Sequence, residues 1–423
     1  MVELIHQYVD ESRLRKDIEY TAGFGALSDC KGNGRTVLTG TDANRDARQY
    51  FVDRLEDAGF GVRVDAVGNI AGRWEPNGID SDADPVAVGS HLDSVVEGGI
   101  FDGVLGVYAG LESVRAMQDA GMRPTHPIEV VAFTEEEGGR FSDGVLGSSV
   151  ASGNTAPDTA LAIEDDTGVT LAEALEQIGF RGSGVVDALA WDTWLELHIE
   201  QGTRLEATGV PVGIVTSITG TVRSHVNIVG EADHAGATSM QNRRDALAAA
   251  SELTLAVESI ANDVVSTTSE TAVATVGQHT VKPNSINVIP GQVHLGIDIR
   301  DVETDAIDEI VRRIRSRIDH IEAEREVCIT YSQEYEIEPS KMSSRCIEET
   351  EAAAARVGTE TLKLHSGAGH DTMQLTDVTD VGMLFAPSID GVSHSPLERT
   401  TWADCTEGTK VLCQTLGKLA RSS

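Results

Sequence analysis

The chain has 423 residues, 68 of them acidic and 33 basic, for a formal net charge of −35. That length suggests two or three domains of roughly 100–200 residues, and 40% hydrophobic with 24% charged residues excludes global disorder. The acidity also excludes nucleic acid and anionic membranes as partners, because a phosphate-binding surface needs clustered Lys and Arg.

From the start of the chain, Met1 to Asp10 mixes polar and apolar residues, so no signal peptide is expected. No apolar run reaches the ~18 residues of a membrane span. Asn44 to Ala58 reads as an amphipathic helix, with Ala47, Tyr50, Phe51, Leu55 and Ala58 at helical spacing and Gly59 as the stop. Strand-like runs follow at Phe60–Val64, Asn69–Trp74, Val86–Val88 and Ile128–Phe133, with a helix over Gly103–Asp119 between the last two. Strands alternating with helices predict an α/β layered sheet. The Asp-Ser-Asp-Ala-Asp loop at Asp80–Asp84 imitates the start of a calcium loop. Pro85 stands where the loop glycine belongs and His91 where the bidentate Glu should be, so calcium is rejected.

A second unit begins near Ser217. Val222–Val229 reads as a strand, Arg243–Ile260 as a helix, Thr271–Val276 and Val293–Ile299 as strands, Ala306–Arg325 as a helix and Val327–Tyr331 as a strand. That order, β-α-β-β-α-β, is the ferredoxin-like pattern. It reads as an insertion, because segments with catalytic character flank it. A helix near Cys346–Arg356 and a strand at Gly382–Ala386 follow. Cys30, Cys328, Cys346, Cys405 and Cys413 are scattered without a C-x-x-C pair, which reads as reduced thiols in a reducing, cytoplasmic compartment. Lys16, Lys31, Lys282, Lys341, Lys363, Lys410 and Lys418 are the lysines; the other basic residues are arginines. Few lysines among so many carboxylates is the composition of a salt-adapted protein, whose self-repulsion salt screens.

The chemistry gathers at strand ends. Gly89-Ser90-His91-Leu92-Asp93-Ser94 places His91 at the C-terminal end of a strand, where open α/β sheets bind ligands. His91 is suited to a metal through one ring nitrogen while Asp93 fixes the other. Asp102 directly precedes a helix, which is also where an N-capping Asp belongs. Ile128–Thr134 ends in Glu135-Glu136-Glu137-Gly138-Gly139-Arg140-Phe141, three carboxylates that repel unless solvated or neutralised by a cation. Trp194 to Gly202 repeats the arrangement with His198, and Pro387 to Glu398 puts His394 in a tight loop. A lone His is more often structural than a ligand, but three His and two carboxylates at strand ends are a different matter.

With these motifs the chain resembles the carbamoylase and allantoate amidohydrolase branch of the two-metal aminoacylase and aminopeptidase-like hydrolases. The resemblance runs from Asp65-Ala66-Val67-Gly68-Asn69 to Glu398. It rests on the His91–Gly103 block, the Glu-Glu-Gly-Gly-Arg-Phe run ending at Phe141, His198 to Gly202, and Ser366-Gly367-Ala368-Gly369-His370-Asp371. It implies a catalytic α/β domain over residues 1–216 and 334–423, a mixed sheet flanked by helices. That domain would be interrupted by a ferredoxin-like lid and dimerisation domain over 217–333. It implies two divalent metal ions per subunit, zinc, manganese or cobalt, bridged by Asp102. His91 and His198 would complete one site or the other, with Glu137 and His394 as the remaining ligands and Glu136 as general base. His234 would stabilise the oxyanion by reaching across a homodimer into the partner's site. Asn287 and Arg300 match positions that hold the substrate carboxylate, a task suited to Arg's planar fork; Arg300 also reads as a surface ion pair with Asp298 or Asp301. Gln201, Gly367 and Ala368 would line the pocket, and His370 either supports a ligand or touches the substrate. Ser239 stands where a Pro usually precedes the Met, and Thr372 where a small Ala is common; neither change removes a ligand.

The implied activity is hydrolysis of the linear C–N bond of an N-carbamoyl (ureido) acid, foremost an N-carbamoyl-L-amino acid, to the amino acid, ammonia and carbon dioxide. Allantoate stays open as the substrate, since it too pairs a ureido carbonyl with a carboxylate. The Glu-Glu-Gly-Gly-Arg-Phe run argues against an aminoacylase or peptidase. The complete ligand set argues against an inactive binding or scaffold protein.

Overall fold

Runs of small and β-branched residues make the central strands. Val86–His91, Ile128–Phe133 and Thr193–Ile199 are buried at every position, as parallel strands covered on both faces must be. The computed structural model describes residues 4–421 except 29, 77, 78 and 80–82. Part of the loop rejected as a calcium site therefore lies outside the described residues.

The chain divides into two compact units, residues 1–216 with 341–423, and residues 217–340. The first is built on a nine-stranded mixed sheet. Its order is Gly61–Val64, Ile70–Trp74, Ile128–Phe133, Val86–His91, Thr193–Ile199, Asp380–Ala386, Val212–Ile218 and Ser340–Lys341, with Thr361–Ser366 also beside Val212–Ile218. The four central strands run parallel, and their register sets His91 opposite Phe133 and His198 opposite Phe385. Their C-terminal ends therefore open at one edge of the sheet.

Helix Val104–Asp119 is buried on almost every face, between the sheet and helix Trp402–Leu419. Gly106 permits that close approach, since a Cβ there would lie 2.3 Å from the Leu197 carbonyl oxygen. The helix expected from Asn44 spans Asp42–Asp57, capped by Thr41, and buries Ala47, Phe51 and Leu55. Helix Trp402–Leu419 is not visible in the hydropathy pattern. Its buried positions mix Thr406, Gly408, Thr409, Gln414 and Thr415 with Val411, Leu412 and Leu416, so small and polar residues share its buried side.

The inserted unit has a four-stranded antiparallel sheet in the order Cys328–Ile337, Gly220–Val229, Gln292–Asp301, Val273–Lys282. Helices Ala246–Thr267 and Thr304–Arg325 cover one face, with Val226, Ile228, Leu253, Ile297, Ile310 and Ile314 in the core. Two strands outrun their expected lengths. Cys328–Ile337 passes Tyr331, so the unit closes at 340 rather than 333, and Val273–Lys282 passes Val276 through a register shift at Gly277. Polar residues on the uncovered face made both continuations read as loop. The first helix starts at Ala246 rather than Arg243 because the Asp245 carboxylate accepts from the Leu247 and Ala248 amides.

Candidate active site

Four strand ends and the turns after them deliver the proposed ligands of the first unit. His91 and His198 project from parallel strands, Glu136 and Glu137 from the turn after Phe133, and His394 from the loop after Ala386. Asp102 stands just before helix Val104–Asp119 without capping it: the N-cap is Gly103, with φ 67° and no side-chain cap bond. This overturns the capping alternative and frees the Asp102 carboxylate. A side chain at position 103 would place its Cβ 2.5 Å from the His91 ring.

Asp102 then divides its two oxygens. Oδ1 lies 3.4 Å from His91 Nε2 and 3.1 Å from His198 Nε2. Oδ2 lies 3.5 Å from His394 Nε2, which is 3.2 Å from Glu137 Oε2. Two ligand groups result, His91–Asp102–His198 and Asp102–Glu137–His394, sharing one carboxylate. Backbone carbonyls set the imidazoles: His91 Nδ1 faces the Asp93 carbonyl at 3.2 Å and His198 Nδ1 the Ile199 carbonyl at 3.0 Å. Both bonds leave Nε2 as the lone-pair nitrogen. The orienting group for His91 is therefore the Asp93 backbone, its carboxylate being farther, at 3.8 Å. His91 Nε2 is buried and makes no hydrogen bond. A buried nitrogen lone pair without a donor, aimed at carboxylate oxygens, fits a divalent cation of the zinc or manganese class.

The three consecutive glutamates have three different surroundings. Glu135, at φ 58°, folds back to accept from the Arg140 and Phe141 amides at 2.7 and 2.6 Å, and so closes the turn. Arg140 then ties the turn to the Thr39 carbonyl and Asp165. Glu136 is buried 3.5 Å from His91 Nε2, and burial holds its carboxyl well above the ordinary range. Glu137 faces His394, whose pKa its carboxylate raises to about 9.

Residues around the cluster hold it in place. Gln201, at φ 56°, donates through Nε2 to Asp102 Oδ2 at 2.9 Å and to Ser393 Oγ at 3.0 Å. His370 is buried against His198, with ring centroids 4.5 Å apart, and its Nε2 meets Ser366 Oγ at 2.9 Å. It packs against His198 and, with Glu196 and His198, forms a further group of close-set possible ligand atoms. Ser366 also accepts from the Ala368 amide, shaping the Gly367–Ala368 turn. Sequence reasoning missed Glu398, which accepts from the Phe101 and Asp102 amides at 2.9 and 3.2 Å. Burial raises it to about 7. It missed Glu196 as well, whose carboxylate takes Ser90 Oγ on one oxygen and Thr372 Oγ on the other. Thr372 thus binds a buried carboxylate beneath His198, something the expected Ala could not do. Neither glutamate carries a local signal; both act on residues distant in the chain.

In the second unit, His234 is exposed in a turn. Its Nδ1 accepts from the Gly236 and Ala237 amides at 3.0 and 3.1 Å, so Nε2 carries the hydrogen and is presented as a donor. Asp233 closes this turn by accepting from the His234 amide and Thr238 Oγ. The turn is bridged to Val288, beside exposed Asn287. Arg300 donates to Asp298 Oδ1 at 2.8 Å, so the ion-pair reading of Arg300 describes its present partner.

A family model described as peptidase family M20/M25/M40 matches residues 84–418. The chain belongs to this family. It is 42% identical over 406 residues to an N-carbamoyl-L-amino acid amidohydrolase of Geobacillus stearothermophilus, covering 94% of this chain and 96% of that one. It is 35% identical over 411 residues to an allantoate amidohydrolase of Bacillus subtilis, covering 95% and 96%. Among solved structures, an amidase of the hydantoinase/carbamoylase family from Burkholderia multivorans matches with a TM-score of 0.92 and 35% identity over 98% of each chain. As a member of this group the chain is a hydrolase of linear amide C–N bonds.

Proposed function

We propose that the chain hydrolyses N-carbamoyl-L-amino acids, using two divalent cations per subunit. The observation that carries this is the division of Asp102 between two ligand groups, with Glu136 buried beside them. His91, Asp102 and His198 would hold one cation, and Asp102, Glu137 and His394 the other. Cations there would polarise the ureido carbonyl and lower the pKa of a water. Glu136 takes a proton from that water as its oxygen bonds to the carbonyl carbon. It returns the proton to the departing nitrogen as the C–N bond breaks. The carbamic acid that remains loses carbon dioxide, so the products are amino acid, ammonia and carbon dioxide.

The second unit supplies the donors. His234, with Nε2–H turned outward, stabilises the developing oxyanion from the partner subunit of a homodimer formed through this unit. Asn287 and the Arg300 fork hold the substrate carboxylate, with Asp298 keeping the fork in place. Gln201 and the Gly367–Ala368 turn line the pocket. The 42% identical relative supports the N-carbamoyl amino acid as substrate. Allantoate is the second reading, supported by the 35% identical one.

The test is ammonia release by manganese-loaded protein in high salt, with a panel of N-carbamoyl-L-amino acids beside allantoate. Turnover of the carbamoyl amino acids, abolished by chelator, is the expected result. Turnover of allantoate alone replaces the substrate and keeps the site. Silence on both, with two metals bound, overturns the ureido reading and directs the search to N-acyl amino acids and dipeptides.

A further inference from the structure

Arg35 is fully buried, and among the described residues its guanidinium is held by backbone carbonyls rather than by a carboxylate. Its Nε donates to the Gly99 carbonyl and its Nη2 to the Leu92 carbonyl, each at 3.1 Å, while Nη1 is buried without a partner. Burying a cation in this way is costly, and cores of comparable volume are usually at least as stable with apolar residues instead. The two carbonyls it grips are therefore informative. Leu92 follows His91, and Gly99 lies three residues before Asp102. Between them the chain forms no helix or extended strand, so the strand that carries His91 and the helix that follows Asp102 have no regular element joining them. The Arg35 backbone runs along the same loop, donating its amide to the Gly98 carbonyl at 3.0 Å.

We propose that Arg35 is a positioning residue for the metal centre: its fork spans Leu92 and Gly99 and so fixes the spacing of His91 from Asp102. This rests on His91 and Asp102 being ligands, and is independent of which ureido acid is the substrate. A planar fork can hold two carbonyls from separate segments at once; a Lys ammonium in its place keeps the charge without that geometry.

The experiment uses the full chain as wild type, Arg35→Met and Arg35→Lys. Manganese and zinc affinities are measured by competition with a chromogenic chelator, beside thermal unfolding with and without metal. The expected result is a loss of metal affinity of about 10- to 100-fold in R35M. R35K recovers only part of it, and kcat stays low at saturating metal with KM little changed. Wild-type affinity in R35M, whatever its melting temperature, overturns the proposal. Should R35M not fold, R35K decides alone, since unchanged affinity and kcat in a folded R35K leave the fork without a role. Wild type that binds no metal overturns the ligand assignment itself. Wild type that binds metal without ureido turnover overturns only the substrate, and the affinity series still reads Arg35.

Discussion

Asp102 and the three glutamates show how far a residue's neighbours decide its work. All four are acidic residues at an element boundary, yet one is shared by two ligand groups, one closes a turn, one is buried beside His91 and one faces His394. Composition and spacing identified the run Glu135–Glu137 as unusual, but could not say which carboxylate points where. Glu136 lies buried 3.5 Å from His91 Nε2, and if it is the proposed base, Glu136→Gln is expected to lower kcat by about 10²- to 10⁴-fold while metal content, measured by elemental analysis, stays at the wild-type level. Asp102→Ala should instead lose metal, because both ligand groups depend on it. Loss of turnover with full metal occupancy in D102A would sink the shared-ligand assignment. His234 makes a different demand. Its Nδ1 is fixed by two amides, so replacing it removes a donor of set direction, and H234A is expected to cost about 10²–10³ in kcat with unchanged metal binding and folding.

At the scale of the element, the central strands were legible from their apolar runs, and their C-terminal ends are where the His and carboxylates gather. Less legible were elements whose buried face is polar or small, as in helix Trp402–Leu419, and strands with one solvated face, as in Cys328–Ile337. In that strand Ile329, Tyr331, Tyr335 and Ile337 alternate with polar residues, and a register shift between Gln333 and Tyr335 interrupts its pairing. The start of helix Val104–Asp119 depends on a backbone requirement instead. Gly103 combines φ 67° with contact against the His91 ring, so Gly103→Ala should displace His91 or Asp102 and reduce metal affinity at least tenfold by chelator competition. Asp245 offers a control away from the site. Its carboxylate caps helix Ala246–Thr267, and Asp245→Ala should cost about 1 kcal/mol in urea unfolding without altering metal affinity.

The whole molecule carries a net charge of −35 over two compact units. Repulsion of that size is screened over about 10 Å at 0.1 M salt and about 3 Å at 1 M. The melting temperature is therefore expected to rise as potassium chloride goes from 0.1 to above 1 M, and a flat or falling profile would remove the salt-adaptation reading. None of the cysteines forms a disulfide, and among the described residues no helix is long and apolar enough to cross a membrane. The proposed homodimer has a test that does not depend on its size. If His234 serves the partner's site, mixing H234A with E136Q under conditions that exchange subunits restores activity that neither variant has alone. Mixtures that remain inactive although exchange is shown by labelled subunits would place His234 outside the partner's site.

Read alone, the sequence determined the class of the fold, the inserted β-α-β-β-α-β unit and the residue types of the cluster. Each of these is written locally, in apolar periodicity or in His and carboxylates placed where strands end. Only the tertiary structure decided the arrangement among them. The two oxygens of Asp102 are divided between His198 and His394, both more than ninety residues further along the chain, and Glu398 reaches the Asp102 amide from the far end of the chain. The Arg35 fork is spent on two carbonyls rather than on a carboxylate. Such contacts are set by packing between segments distant in sequence, and no local pattern records them.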